Sequence, residues 1–245
     1  MLLIDIITVF SIVGQSYFLL RNSGSKLPRT AANANSRGNS IMPSILLLTS
    51  SPRVDSLSTT IAADLAEKIK AQQPGSAVVR RDLGVNPLPH IDDLFTAAIR
   101  KPADDRTVEE AAAVQTSDEL VAELLAADTV VIGTGLINFN IYSSLKTWID
   151  NVARAGLTFK YTESGPVGLA TGKKVYVVLA SGGVYSQGPA AGMNHAVPYL
   201  KSVLGFLGIT DVETIYVEGL AFGPEAAEKA IGAAKARAEE IALAA

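Results

Sequence analysis

The feature that most constrains this chain is an alternation of short apolar runs with segments of helical periodicity. Ile45–Thr49 (ILLLT) is a continuous apolar run, the pattern of a strand buried on both faces. After the polar loop Ser50–Leu57, the segment Ser58–Ala71 places Ile61, Leu65 and Ile69 at helical spacing. Further strands are expected at Ala77–Asp82, Thr129–Ile132, Val175–Ala180 and Val212–Val217. Helices are expected at Asp92–Arg100, Thr107–Ala127, Ser143–Ala153, Gly192–Leu207 and Pro224–Ala244, the last with proline in its first turn. Leu83–Ile91 (LGVNPLPHI) carries too much proline to be regular helix.

Strands separated by helices predict an α/β fold, an open parallel sheet with helices on both faces. Five strands favour the flavodoxin-like, doubly wound order 2-1-3-4-5 over the longer dinucleotide-binding order. In that order the topological switch point lies at the carboxyl ends of the first and third strands. Three loops should therefore converge there: Ser50–Ser58, Gly133–Tyr142 and Ser181–Gly192.

Composition closes off several functions. With 48% hydrophobic and 18% charged residues the chain is not disordered, and a net charge of −3 offers no basic footprint for nucleic acid. The absence of cysteine removes disulfides, thiolate metal sites and cysteine nucleophiles, and suits a reducing cytoplasm. His90 and His195 are far apart with no carboxylate pattern beside them, and neither GxSxG nor HExxH occurs. A phospho-receiver domain would need acidic residues where Thr49-Ser50-Ser51 stand.

Residues 1–42 read differently from the rest. Leu2–Leu20 is apolar but interrupted by Asp5 and Gln15, and no positive residue precedes it as a secretory signal requires. Arg21, Lys26, Arg29 and Arg37 against Asp5 give this segment +3, so the remainder carries −6 of the net −3. The expected reading is an upstream extension from a mis-set start, with Met42 the natural beginning and 43–245 the folded domain. A membrane anchor at residues 2–20 stays open as the alternative.

The first loop, SSPRVDSLS, puts Ser50, Ser51, Ser56 and Ser58 just before a helix, whose free N–H groups and dipole suit one phosphate monoester. It has neither the Gly-Lys-Ser/Thr of a P-loop nor GxGxxG, and the plainer reading makes Ser58 an N-cap. The second loop, GTGLINFNIYSS, has Gly133 and Gly135 where backbone must approach something closely, with Phe139 and Tyr142 offering aromatic surface. Packing on the sheet is the preferred reading for Tyr142. The third, ASGGVYSQGP, follows its strand with Gly182-Gly183, whose amides can face a ligand's polar edge or simply make a turn. Together the loops point to a planar ligand with a phosphate, as FMN is.

Longer strings carry a resemblance. Asn138–Lys174 (NFNIYSSLKTWIDNVARAGLTFKYTESGPVGLATGKK), Arg81–Pro89 (RDLGVNPLP), Gly188–Ile209 (GPAAGMNHAVPYLKSVLGFLGI) and Val217–Glu225 (VEGLAFGPE) are similar to the FMN-dependent NADH-azoreductases. The likeness runs from about Ser44 to the terminal helix. It implies one FMN per subunit, NADH as donor, and a homodimer with the flavin near the subunit interface. The implied reactions are two-electron reduction of quinones and reductive cleavage of aromatic azo compounds. Position by position, it places phosphate contacts on Ser51, Ser56, Leu57 and Ser58, and ring contacts on Leu136, Ile137, Asn138, Phe139, Ala180, Ser181, Gly182 and Gly183. The chain departs from the family with Gly135-Leu136-Ile137 where Pro-Met-Tyr is frequent, and Ala180-Ser181 for Ser-Arg. Tyr185 stands where histidine is common. Backbone contacts survive such changes, whereas acceptor preference and flavin potential are exposed to them.

The chemistry so implied lies on FMN N5, with ping-pong kinetics and no side chain as general acid. Arg100 is a candidate for contacting NADH or an acidic dye, against the plain reading of a solvated arginine. The competing function is a flavodoxin-type electron carrier without nicotinamide substrate. The modest charge and the insert Asp92–Ala127 speak for an enclosed enzyme site instead. A relative with an empty, decayed site is kept open by Ile137 and Ala180.

Overall fold

The computed structural model describes residues 44–245, so expectations about residues 1–42 lie outside the described residues. Five strands form one parallel sheet: β1 (Ser44–Thr49), β2 (Ala77–Asp82), β3 (Thr129–Gly135), β6 (Lys174–Ala180) and β7 (Asp211–Val217). Their order is β2-β1-β3-β6-β7, which is 2-1-3-4-5 when sheet strands alone are counted. Between β3 and β6 lies a separate antiparallel hairpin, β4 (Phe159–Thr162) and β5 (Gly165–Gly168).

Strand periodicity divides the core. Leu46, Leu48, Val130, Ile132, Val175 and Val177 face one side, where α3 (Val108–Ala126), α4 (Ser143–Val152) and α5 (Ala196–Phe206) pack with Leu120, Leu124, Trp148 and Leu200. Ile45, Leu47, Val131, Val178 and Ile215 face the other, against α1 (Leu57–Gln72) and α6 (Pro224–Ala244). Ile61, Leu65 and Ile69 of α1, the residues that carried its periodicity, are all at or near zero exposure. Each such side chain stabilises the fold by about 1.5–3 kcal/mol, which is why the apolar runs dictate the layers.

Helix boundaries follow local capping. Ser56 caps α1, accepting from the Thr59 amide at 3.3 Å, so Ser58 is an interior residue rather than the N-cap. A capping box of Thr107 and Glu110 starts α3. The short α2 (Asp93–Ala98) is capped by Asp92 and ends before Arg100. The helix expected from Gly192 begins only at Ala196, preceded by a single 3-10 turn at Ala191–Met193.

The hairpin is the element that periodicity does not reveal. Its strands are too short to show alternation, and tertiary packing holds it: the Phe159 and Phe206 rings sit 4.5 Å apart. A Cβ on Gly168 would lie 2.0 Å from the Gly208 nitrogen, so glycine is required where the hairpin backbone meets the turn after α5. Beside it, Arg154 is buried and donates to Ser117 Oγ at 2.6 Å while pairing with Asp118 at 3.0 Å, tying α3 to the end of α4. Burial pushes its pKa down, with Asp118 opposing. Among the described residues no helix is long and apolar enough to cross a membrane, and no cluster of His, Asp or Glu could hold a metal ion.

Candidate functional site

At the carboxyl ends of β1, β3 and β6 the three expected loops meet. The Ser50 amide donates to the Gly133 carbonyl at 3.1 Å, and its hydroxyl reaches Thr134 Oγ1 at 2.8 Å. The Leu136 amide donates to the Ala180 carbonyl at 2.9 Å, carrying the β3–β6 pairing one residue past the strand. Ser144, in the first turn of α4, donates its hydroxyl to the Ser50 carbonyl at 3.1 Å. Loops from three strands are thus one hydrogen-bonded unit.

The first loop ends in a cluster of buried hydroxyls. Ser51 and Ser56 are almost fully covered and Ser58 is completely so. The Ser56 and Ser58 hydroxyls are 3.1 Å apart, and Ser51 Oγ accepts from the Arg53 amide at 3.3 Å. The amides of Leu57 and Ser58, at the start of α1, make no hydrogen bond among the described residues. Such donors on a helix start, with hydroxyls beside them, suit a phosphate group. Arg53 pairs with Asp55 at 2.9 Å on the open rim; each raises or lowers the other in the direction that keeps both charged.

Glycines let the backbones close in. A Cβ on Gly133 would lie 2.8 Å from the Ser58 carbonyl oxygen, so α1 rests directly on β3. Tyr142 packs over Gly135, where an added Cβ would be 3.0 Å from its ring, in agreement with a packing role.

The second loop contains a tight turn, Ile137–Asn140, closed by reciprocal backbone hydrogen bonds of 2.9 Å between Ile137 and Asn140. Its central residues Asn138 and Phe139 have φ of 45° and 67°, the paired left-handed pattern of a type I′ turn. Asparagine tolerates this region; phenylalanine does so at a cost of order 1 kcal/mol. The Asn138 and Phe139 amides have no partner among the described residues, nor do those of Gly182 and Gly183. The third loop is stitched to the end of β7: Gly183 O accepts from the Gly219 amide at 3.0 Å and from Ser181 Oγ at 2.9 Å. Phe139 and Tyr185 meet edge to face, centroids 6.1 Å apart.

Buried hydroxyls and free amides on the first loop, with two rings and four free amides on the other two, are a donor set that suits a flat molecule carrying a phosphate. FMN fits this donor set. The residues that the resemblance implied, Ser51, Ser56, Leu57, Ser58, Leu136, Ile137, Asn138, Phe139, Ala180, Ser181, Gly182 and Gly183, all lie on these three loops or their strand ends. Arg100 does not join them; it is exposed just beyond α2.

A model of the flavodoxin-like fold family matches residues 43–242. A protein from Rhizobium etli named FMN-dependent NADH:quinone oxidoreductase 1 is 87% identical over 204 residues, 83% of this chain and all of its own length. The Agrobacterium fabrum protein named FMN-dependent NADH:quinone oxidoreductase is 71% identical over 205 residues, 83% of this chain and all of its own. This chain belongs to the FMN-dependent NADH:quinone oxidoreductase, or azoreductase, family. Among solved structures, an azoreductase from Bacillus anthracis superposes with a TM-score of 0.76 at 38% identity, covering 82% of this chain and 99% of the other. An FMN-dependent NADH-azoreductase of the same species, in complex with FMN, gives 0.73 at 31%, covering 82% and 100%.

Within this azoreductase fold, several residues that shape the crevice were not singled out from sequence. Gly84 is one: a Cβ there would fall 2.2 Å from the Ser51 carbonyl oxygen, so the loop after β2 presses directly on the hydroxyl cluster. Asp82 holds it there, accepting from the Gly84 and Val85 amides at 3.0 and 3.1 Å. Thr134, fully buried, is the partner of Ser50. The His195 amide donates to the Phe139 carbonyl at 2.9 Å, a contact of backbone that no residue type could have signalled.

Proposed function

We propose that this protein is an FMN-dependent oxidoreductase that passes electrons from NADH to quinones, by two-electron reduction, and to aromatic azo compounds, cleaving them to amines. The observation that carries the reading is the convergence at one switch point of a buried hydroxyl cluster with unpaired amides from the two other loops. Ser51, Ser56, Leu57 and Ser58 would hold the phosphate through hydroxyls and helix-start amides. Leu136–Phe139 and Ala180–Gly183 would line the ring. FMN, when bound, supplies the two-electron chemistry linking a nicotinamide to the acceptor. The chain's own part is to bind, orient and shield. Amides of Asn138, Phe139, Gly182 and Gly183 offer fixed donors to a ring that gains negative charge, and fixed dipoles need no rearrangement when charge develops. No side chain is assigned as acid or base.

The working form is proposed to be a homodimer. Ile137, Phe139, Met193 and Phe222 are exposed apolar residues, and all belong to loops bonded to the crevice. Such a rim suits burial against a second copy. The flavin-binding domain is assigned to residues 43–245, the cytoplasm as its compartment, and Arg100 as a weak outer contact for NADH or an acidic acceptor.

The test is spectroscopic. The purified protein should be yellow or take up FMN, and NADH added without oxygen should bleach it; a quinone should then restore the colour. Colour that NADH leaves unchanged would favour an electron carrier, and failure to take up FMN would refute the flavin reading. Light scattering on the same sample reads the dimer.

A further inference from the structure

The loop after β6 is held by a carboxylate from the segment just beyond β7. Glu218, immediately after β7, accepts from the Tyr185 amide at 2.7 Å and the Ser186 amide at 3.0 Å through one oxygen. Its other oxygen accepts the Ser186 hydroxyl. Three donors on one half-buried carboxylate make a clamp, and hydrogen bonds to a charged acceptor are the stronger kind.

What the clamp holds is the Tyr185 ring. Tyr185 lies against Gly183, where an added Cβ would be 2.9 Å from its Cε2, and meets Phe139 edge to face. The far side of the same residue is tied by Asn194, whose amide nitrogen donates to the Tyr185 carbonyl at 3.4 Å. Asn194 is itself buried and accepts from the Val197 amide at 3.2 Å in the first turn of α5. Tyr185 is therefore fixed at both its amide and its carbonyl, while its ring covers Gly183, whose amide has no partner among the described residues. Without the carboxylate, the Tyr185 and Ser186 amides would turn toward water and the ring would lose its anchor.

We infer that Glu218 is a positioning residue for flavin binding, acting through Tyr185: it holds the phenol ring against Gly183 and Phe139, so that the ring side of the crevice is preformed. The inference rests on the flavin reading of the crevice. A preformed wall saves the ordering cost that a loose loop would impose on each binding event.

The experiment uses full-length protein stripped of FMN and titrated with FMN, following flavin fluorescence. Glu218→Ala should weaken FMN binding about tenfold, the scale of losing charged hydrogen bonds at a partly exposed site. Glu218→Gln retains an acceptor oxygen for the two amides and should recover to within about threefold of the unsubstituted protein. Tyr185→Ala should weaken binding to a similar extent, and the Glu218→Ala/Tyr185→Ala double variant should be no weaker than Tyr185→Ala alone. In Glu218→Ala, hydrogen exchange at the Tyr185 and Ser186 amides should accelerate. Unchanged affinity in Glu218→Ala, an additive double variant, a Gln variant as weak as the Ala variant, or unchanged exchange would each overturn the inference. If the unsubstituted apoprotein takes up no FMN, the flavin reading itself fails, and the inference with it; the exchange measurement still reports whether the clamp exists.

Discussion

At the start of α1 stand buried serine side chains, Ser56 and Ser58 bonded to one another, with Gly84 packed on the Ser51 carbonyl. The Ile137–Asn140 turn, by contrast, is exposed and offers mainly backbone, in a left-handed conformation that phenylalanine does not favour. The first presents side-chain hydroxyls, and the turn presents backbone amides. The departures from the family's usual residues, at Gly135-Leu136-Ile137, Ala180-Ser181 and Tyr185, all fall on the second half. A phosphate needs hydroxyls and helix-start amides of fixed type, whereas the edge of a ring can be met by any peptide amide in the right place.

Substitutions can break this contrast. The largest effect is expected from Gly84→Ala, whose new methyl would collide with the Ser51 carbonyl. Overpacking of this kind costs about 2 kcal/mol, roughly 30-fold in FMN affinity if the strain is relieved by moving Ser51. An affinity unchanged by Gly84→Ala would show that the hydroxyl half is not rigid. Ser56→Ala removes both the cap of α1 and a proposed phosphate donor. It should lower stability by about 1 kcal/mol in denaturant titration, and FMN affinity by about tenfold. Were only stability to fall, Ser56 would be a cap and nothing more.

The smallest effect tests the other half. Asn138→Gly relaxes a left-handed residue while keeping its amide, so stability should change by less than about 0.5 kcal/mol, with FMN affinity within about twofold. A large loss would mean that the asparagine side chain is used, and the contrast between the halves would collapse.

The sheet order and the meeting of three loops were legible because they follow from strand count and crossover handedness. The cluster of serine hydroxyls at the start of α1 was legible because a run of hydroxyls before a helix is a local pattern. Glu218 and Tyr185 lie far apart in sequence, as do Gly84 and Ser51, and no local signal announces either pair. The β4–β5 hairpin was hidden for a related reason: its stability comes from Phe206 and Gly208, outside its own sequence. The left-handed Phe139 could not have been anticipated, since phenylalanine is a poor resident of that region and is kept there by Ile137, Asn140 and the His195 amide.

Asn194 and His195 are neighbours in the chain, yet one holds Tyr185 and the other holds Phe139. The two ring-bearing residues thus share one tie ahead of α5, besides their separate ties to Glu218 and within the Ile137–Asn140 turn. A substitution that shifted Asn194 and His195 would therefore disturb the backbones of both rings at once.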